Sequence, residues 1–475
     1  MIISLFSILY IFVVFILFYL INPNWRIYIL IAASLGYIGF LSPKALVFIL
    51  TTSLIFYISA IAIDSAKEKK GLVYRLSLFG TISFFVIIFL FLKLIPALEN
   101  LGLSGEFFGS IVVPAGFSFY LLSAISYLSD VYSNSISAEK NVFRFFLYML
   151  WFPKFLSGPI ERYKDLRPFL ENIKSLKVSM ISPGSSALYI VYGAFLKVVV
   201  ADRLCIYVDD VFSHTDMFGS VALIFGAVMY AFQIYCDFAG YTYFARGTSS
   251  LFGIKLNENF IVPYCSENIA EFWRRWHISL SSWLRDYIYI PLGGNRKGNV
   301  KKILFILIVF LVSGFWHGAA LTFLAWGLLH GFYNLIFNLL KSSRISFLFK
   351  GIAGRILNFT AVTFAWIFFR ADSIKSALAY VCAIFTNGLQ ISYLKAHFCE
   401  GWRQGIDPCI TILFMIAVII LDVISYRRKK DIPTLVYEKG LVQKLFYIYL
   451  LIILIMVFGA YGPSITAKTY IYMDF

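Results

Sequence analysis

Long apolar runs separated by short charged loops dominate the chain, and their spacing sets the first expectations. Residues 2–21 carry no charged side chain and are apolar at nearly every position, enough helix to cross a hydrocarbon core of about 30 Å. Comparable runs recur at 25–41, 45–63, 76–97, 113–130, 184–200, 219–238, 303–315, 319–340, 356–370, 374–386, 409–425 and 442–462. They predict an all-α, polytopic integral membrane protein with roughly eleven to thirteen membrane segments. Two of the runs, 303–315 and 374–386, are short for a full crossing and read as half-helices or re-entrant pieces, whose backbone ends need shielding by protein or a water-filled cavity. The first run reads as a span rather than a secretory signal peptide: no Lys or Arg precedes it, no small-residue cleavage site follows, and the next span starts almost at once. Glu267 to Leu292 repeats Phe272, Trp276, Leu280, Trp283, Leu284 and Tyr287 at helical spacing, which predicts one helix lying along the cytoplasmic interface. Trp151 to Tyr163 mixes Pro153, Gly158 and Pro159 with aromatics, the pattern of a broken helix or re-entrant turn. No internal repeat or disordered linker interrupts the pattern, so one membrane domain over residues 1–475 is expected, its core near 113–370.

Composition agrees. Of 475 residues, 60% are apolar, 19% aromatic and 14% charged, against roughly 25% charged in a soluble domain. The net charge of +16 does not point to nucleic acid, because the basic residues fall in short clusters between apolar runs rather than along one polar face. Lys67, Lys69, Lys70 and Arg75 form the first cluster; Arg162, Lys164, Arg167, Lys174 and Lys177 the second. Arg296, Lys297, Lys301 and Lys302 form the third, Lys341, Arg344, Lys350 and Arg355 the fourth, and Arg427 to Lys430 the fifth. Placing all five in the cytoplasm puts the N-terminus, the nearly uncharged stretch from Glu99 to Val112 and the C-terminal tail outside. The six cysteines form no CxxC pair and keep no regular spacing with histidine, so neither a metal site nor a disulfide framework is indicated.

Candidate chemistry concentrates on a few polar residues inside this apolar background. If the third and fourth clusters share one side, the chain between them enters the membrane and returns, and Trp316-His317-Gly318 lies near the turn, about 20 Å from the cytoplasmic end. Gly314, Gly318 and the pair Ala319-Ala320 allow another helix or a substrate to approach His317 closely. A neutral imidazole held away from bulk water suits the work of a general base toward a sugar or polyol hydroxyl; a histidine hydrogen-bonded between helices is the structural alternative. His330 is a second candidate of this kind. His277 shares a helical face with Leu280, Ser281 and Leu284 and can reach inward, while Arg274, Arg275 and Arg285 can hold lipid headgroups or the phosphates of an incoming cofactor. Asp286 in the same stretch, and Trp316 beside His317, are structural or orienting candidates. Asp237 lies within an apolar run, and an intramembrane carboxylate is normally paired; its role is packing or orientation of a histidine. GxSxG, a Cys beside a His and a Walker loop are all absent, so no nucleophile motif for a covalent enzyme intermediate emerges.

Several blocks together resemble the membrane-bound O-acyltransferase family, in its bacterial branch of alginate O-acetylation and D-alanine transfer members. They are FPKFLSGPIERY from Phe152, QIYCDFAGY from Gln233, FWRRWHISLSSWLRDYIYIPLGGNRKG from Phe272, SGFWHGAALTFLAWGLLHG from Ser313, TFAWIFFRA from Thr363 and the ending TYIYMDF. The resemblance implies tilted helices around a central tunnel, with His317 at the family's catalytic histidine and His277 at its second polar position. After Asp237 the sequence reads GYTYFA, so Tyr243 stands where the family pattern is commonly acidic. The PLGGNRKG block and the ending stand closer to the polysaccharide O-acetylation members.

The resemblance implies transfer of an acyl group, acetyl first, from a cytoplasmic thioester, acetyl-CoA or an acyl-carrier-protein thioester, to a hydroxyl of a cell-surface glycan or its extracytoplasmic carrier. A partner acetyltransferase protein outside the membrane, membrane lipid as surroundings, no metal and the bacterial cytoplasmic membrane as location complete the expectation. D-alanyl transfer to teichoic acid is the alternative within this chemistry. A lipid-linked glycan transporter is the alternative from another class; it should carry paired inverted repeats, and none is visible.

Overall fold

A computed structural model describes residues 5–69, 71–100, 114–389 and 407–460. Most of the uncharged stretch before Val112, and the TYIYMDF ending, lie outside them. The chain divides into two compact units, Met1–Ser186 with Ala245–Asn257, and Ala187–Phe244 with Glu258–Phe475.

The first unit holds α1 (Leu5–Leu20), α2 (Arg26–Leu41), α3 (Pro43–Ala66), α4 (Thr81–Asn100), α5 (Phe117–Tyr132), α6 (Val142–Leu150) and α7 (Tyr163–Asn172). Short polar signals fix where the helices begin. Ser42 caps α3 by accepting from Ala45 N–H at 3.2 Å with Pro43 at the first position, and Asn141 caps α6 from Arg144 N–H at 3.1 Å, satisfying donors that a helix start leaves unpaired. Arg26 is buried and donates to Phe18 O at 3.2 Å and Leu176 O at 2.5 Å, tying α1 and α2 to the segment after α7. Trp151 to Tyr163 is, as expected, not one helix. A single turn, Phe152–Phe155, gives way to irregular chain before α7, and all thirteen residues are buried.

The second unit contains α8 (Pro183–Ala194) from Ala187 onward, which runs through a π-helical segment at Phe195–Ala201 into α9 (Asp202–Ser213). Then come α10 (Ser220–Leu251), whose last turns belong to the first unit, α11 (Ile269–Arg275), α12 (Ile278–Leu284), α13 (Asn299–His317), α14 (Leu321–Leu340), α15 (Gly351–Arg370), α16 (Ile374–Thr386), α17 (Pro408–Arg428) and α18 (Leu441–Phe458). Among the described residues, ten helices are long and apolar enough to cross a membrane, with shorter apolar helices at Phe6–Leu20 and Ile374–Thr386. The run at 303–315 is not a half-helix: its helix starts at Asn299, so that Val300–His317 is of spanning length. Lys301 and Lys302 lengthen it beyond the apolar stretch, because a basic side chain at a helix end can reach water along its stem. The expected single helix over Glu267 to Leu292 is also corrected. It breaks between α11 and α12 at His277, and Arg285–Tyr289 is π-helical.

Candidate functional site

His317 is the last residue of α13, and its address follows from how tightly α13 packs on α14. A Cβ on Gly314 would lie 2.4 Å from Phe323 O, and one on Gly327 2.4 Å from Phe310 O. Only glycine permits this approach, and it lets two antiparallel helices bring their ends together. His317 is 2% exposed. Its ring lies 4.8 Å from Trp316, 5.1 Å from Phe369 and 5.2 Å, edge-on, from Trp326.

His277 reaches the same cluster by a break in the backbone. Its φ of 42° and ψ of 55° are left-handed, a conformation that costs a residue other than glycine about 1–3 kcal/mol and persists only where surroundings impose it. Asn259 imposes it. Its carbonyl accepts from Ile278 N–H at 3.0 Å, and its Oδ1 accepts from Ser279 N–H at 3.3 Å and Ser279 Oγ–H at 2.6 Å. The His277 ring lies 4.7 Å from Phe238 and 5.9 Å from Trp316, so Trp316 is the shared wall between the two histidines. Complete burial pushes the His277 imidazole down to about 3, which keeps it neutral. His330, on α14, is equally buried and accepts at Nδ1 from Trp273 Nε1–H at 3.3 Å.

The structure thus gathers His317, His277, Trp316 and His330 among aromatic rings. The three arginines stand elsewhere. Arg274 is exposed, with Nε donating to Ala270 O at 3.2 Å, and Arg285 is exposed beside Asp286 at 2.8 Å. Arg275 pairs with Glu271 at 2.8 Å and stacks over Tyr426, on which Arg355 also rests. Asp237 has a partner that sequence reasoning did not find: Lys197 Nζ lies 2.5 Å from Asp237 Oδ1 and 2.8 Å from Asp202 Oδ1. Lys197 sits in the π-helical segment, beside a close contact where a Cβ on Gly240 would meet Gly193 O at 2.8 Å. The signal was present, since Lys197 and Asp237 are each the sole charged residue within their apolar runs. Asn259 carried no such mark.

The profile of MBOAT, the membrane-bound O-acyltransferase family, matches residues 27–378, which include every residue of this cluster. The chain belongs to the membrane-bound O-acyltransferase family. Among its relatives is a probable alginate O-acetylase of Pseudomonas syringae pv. tomato, 36% identical over 62% of this chain and 55% of the relative. A peptidoglycan O-acetyltransferase of Helicobacter pylori is 31% identical over 65% and 63%. A teichoic acid D-alanyltransferase of Bacillus subtilis is 29% identical over 47% and 58%. The chain spans less than two thirds of the length of each of these relatives. For a membrane-bound O-acyltransferase family member, a buried pair of histidines in an aromatic setting is an arrangement able to move a proton out of reach of bulk water.

Proposed function

We propose that the chain transfers an acyl group, acetyl by preference, from a cytoplasmic thioester such as acetyl-CoA to a hydroxyl of a cell-surface polysaccharide or its extracytoplasmic carrier protein. The observation that carries this reading is the placement of His317 at a helix end, almost wholly buried and one tryptophan away from a second buried histidine. His317 takes the proton from the acceptor hydroxyl. The oxygen attacks the thioester carbonyl, the C–O bond forms as the C–S bond breaks, and the proton passes from His317 to the departing thiolate. His277, held neutral, positions the thioester. Surrounding rings keep water from competing as acceptor. Two relatives named for O-acetylation, of alginate and of peptidoglycan, support acetyl as the group moved; the D-alanyltransferase relative keeps D-alanyl transfer as the second reading. Location in the bacterial cytoplasmic membrane and a partner acetyltransferase outside it belong to the same proposal.

Replacement His317→Ala should lower surface-glycan acetylation by a factor of about 10² to 10⁴, the usual contribution of a general base, in cells that make the variant at normal levels. Unchanged acetylation overturns the assignment. Mass analysis of the modified glycan separates acetyl from D-alanyl.

A further inference from the structure

Next to His317 the second unit buries hydrogen-bond donors that have no acceptor among the described residues. Trp326 is 1% exposed and Trp366 0%, and their indoles stack with centroids 5.6 Å apart. His330, also 0% exposed, lies 5.0 Å from Trp326 and 6.2 Å from Trp366. Because Trp273 Nε1–H donates to His330 Nδ1, Nδ1 is the accepting nitrogen and the ring proton sits on Nε2. Trp326 Nε1, Trp366 Nε1 and His330 Nε2 are then all donors, and all three are buried without a partner among the described residues. The hydroxyls of Thr363, one turn before Trp366, and Ser313, one turn before His317, are likewise unpartnered. Leaving one such group unsatisfied costs about 1–3 kcal/mol, and folded proteins satisfy nearly all of them. Several on touching rings call for a group that brings acceptors.

An indole N–H can only donate, so the complement is an oxygen with free lone pairs, and a carbonyl oxygen supplies them without adding a donor of its own. Charge does not enter, because no ionised side chain belongs to the set. We propose that Trp326, Trp366 and His330 form a carbonyl-binding site that takes the acyl carbonyl oxygen of the thioester, an inference that rests on the acyl-transfer reading. The Trp326 ring stands perpendicular to that of His317 at 5.2 Å, which puts this site beside the base. Donors held in a dry site stabilise the negative charge that grows on that oxygen as the hydroxyl attacks, and removing one such donor costs about 10²- to 10³-fold in turnover. His277 is left to orient the thioester.

The test uses the full chain in lipid nanodiscs and acetyl-CoA labelled with ¹³C at the acetyl carbonyl. Isotope-edited infrared spectra of the label bound to the His317→Ala chain give the carbonyl frequency. Adding Trp326→Phe or Trp366→Phe, which keep a ring and remove the N–H, should raise that frequency as the hydrogen bond is lost. The same changes in the active chain should lower glycan acetylation in cells about 10²-fold. His330→Leu should do likewise, while His330→Gln, which retains an N–H, should recover part of the activity and serves as the control for folding. A bound label whose frequency ignores all these changes, with acetylation intact, overturns the carbonyl site and leaves acyl transfer standing; a buried water would then be the acceptor. No bound label in any chain overturns the acetyl-CoA reading, and the carbonyl site with it.

Discussion

Within Trp151 to Tyr163, Lys154 and Glu161 are buried charges that share one irregular segment. The Lys154 ammonium rests 4.4 Å above the Tyr148 ring and has no hydrogen-bond acceptor among the described residues, whereas the Glu161 carboxylate accepts from Asn257 N–H at 2.6 Å and from Asn257 Nδ2 at 2.7 Å. Burial lowers the Lys154 amine to about 8 against the pull of Glu161, and burial raises the Glu161 carboxyl to about 7 against the Asn257 donors and Lys154. Glu161 therefore holds its proton more tightly folded than unfolded. Between its unfolded value near 4.5 and its folded value near 7, the native state binds more protons, so this group's contribution to stability falls as pH rises. Glu161→Gln removes that slope: in detergent, the apparent Tm of the natural chain should drop relative to the variant from pH 5 to pH 7. Parallel curves across that window would refute the linkage. The sequence marked this segment as broken through its prolines and glycine, yet could not show that its charges are buried, since the donor that satisfies Glu161, Asn257, arrives from 96 residues away. The same limit applied to Lys197, visible as a lone cation but not as the partner of Asp237.

At the scale of elements, apolar run length predicted most helices, because a backbone in hydrocarbon must satisfy its hydrogen bonds internally and does so as helix. Where the reading failed, a long-range contact had the deciding role. The apolar period from Phe272 to Tyr287 continues across the kink at His277, so periodicity alone shows a single helix, and the Asn259 clamp that breaks it leaves no local trace. The α13–α14 hairpin was legible in its parts, since the glycines around His317 already suggested close approach. Its packing yields a prediction. Gly327→Val sets a branched side chain against Phe310 O, which a single Cβ would already meet at 2.4 Å, and such overpacking typically costs 1–3 kcal/mol. The apparent Tm should fall by several degrees, and glycan acetylation should fall at least tenfold as His317 shifts against Trp326. Gly440→Ala, where a Cβ meets nothing within 4 Å, should leave both unchanged. Equal behaviour of the two variants would remove the hairpin contact from any part in building the site.

For the whole molecule, the order of basic clusters along the chain carries the sidedness of the proposed reaction. Helix α13 rises about 1.5 Å per residue, so its 19 residues put His317 at the far end from Arg296, Lys297, Lys301 and Lys302. Helix α14 returns antiparallel, pairing Gly327 with Phe310 and Gly331 with Leu307, and so brings Lys341 and Arg344 back to the first end. Both clusters thus flank one end of a single hairpin, the end that the proposed topology gives to the cytoplasm under the positive-inside rule. The hydroxyl acceptor would then approach His317 from outside, and the thioester would have to travel inward from the basic end. Single cysteines test this directly once all six native cysteines are replaced by serine. In intact spheroplasts a membrane-impermeant maleimide should label Ala320→Cys, at the exposed turn after His317, and should reach Ser343→Cys only after lysis. The reverse pattern would put the His317 end in the cytoplasm, and an extracytoplasmic glycan could no longer be the molecule whose hydroxyl gives up its proton there.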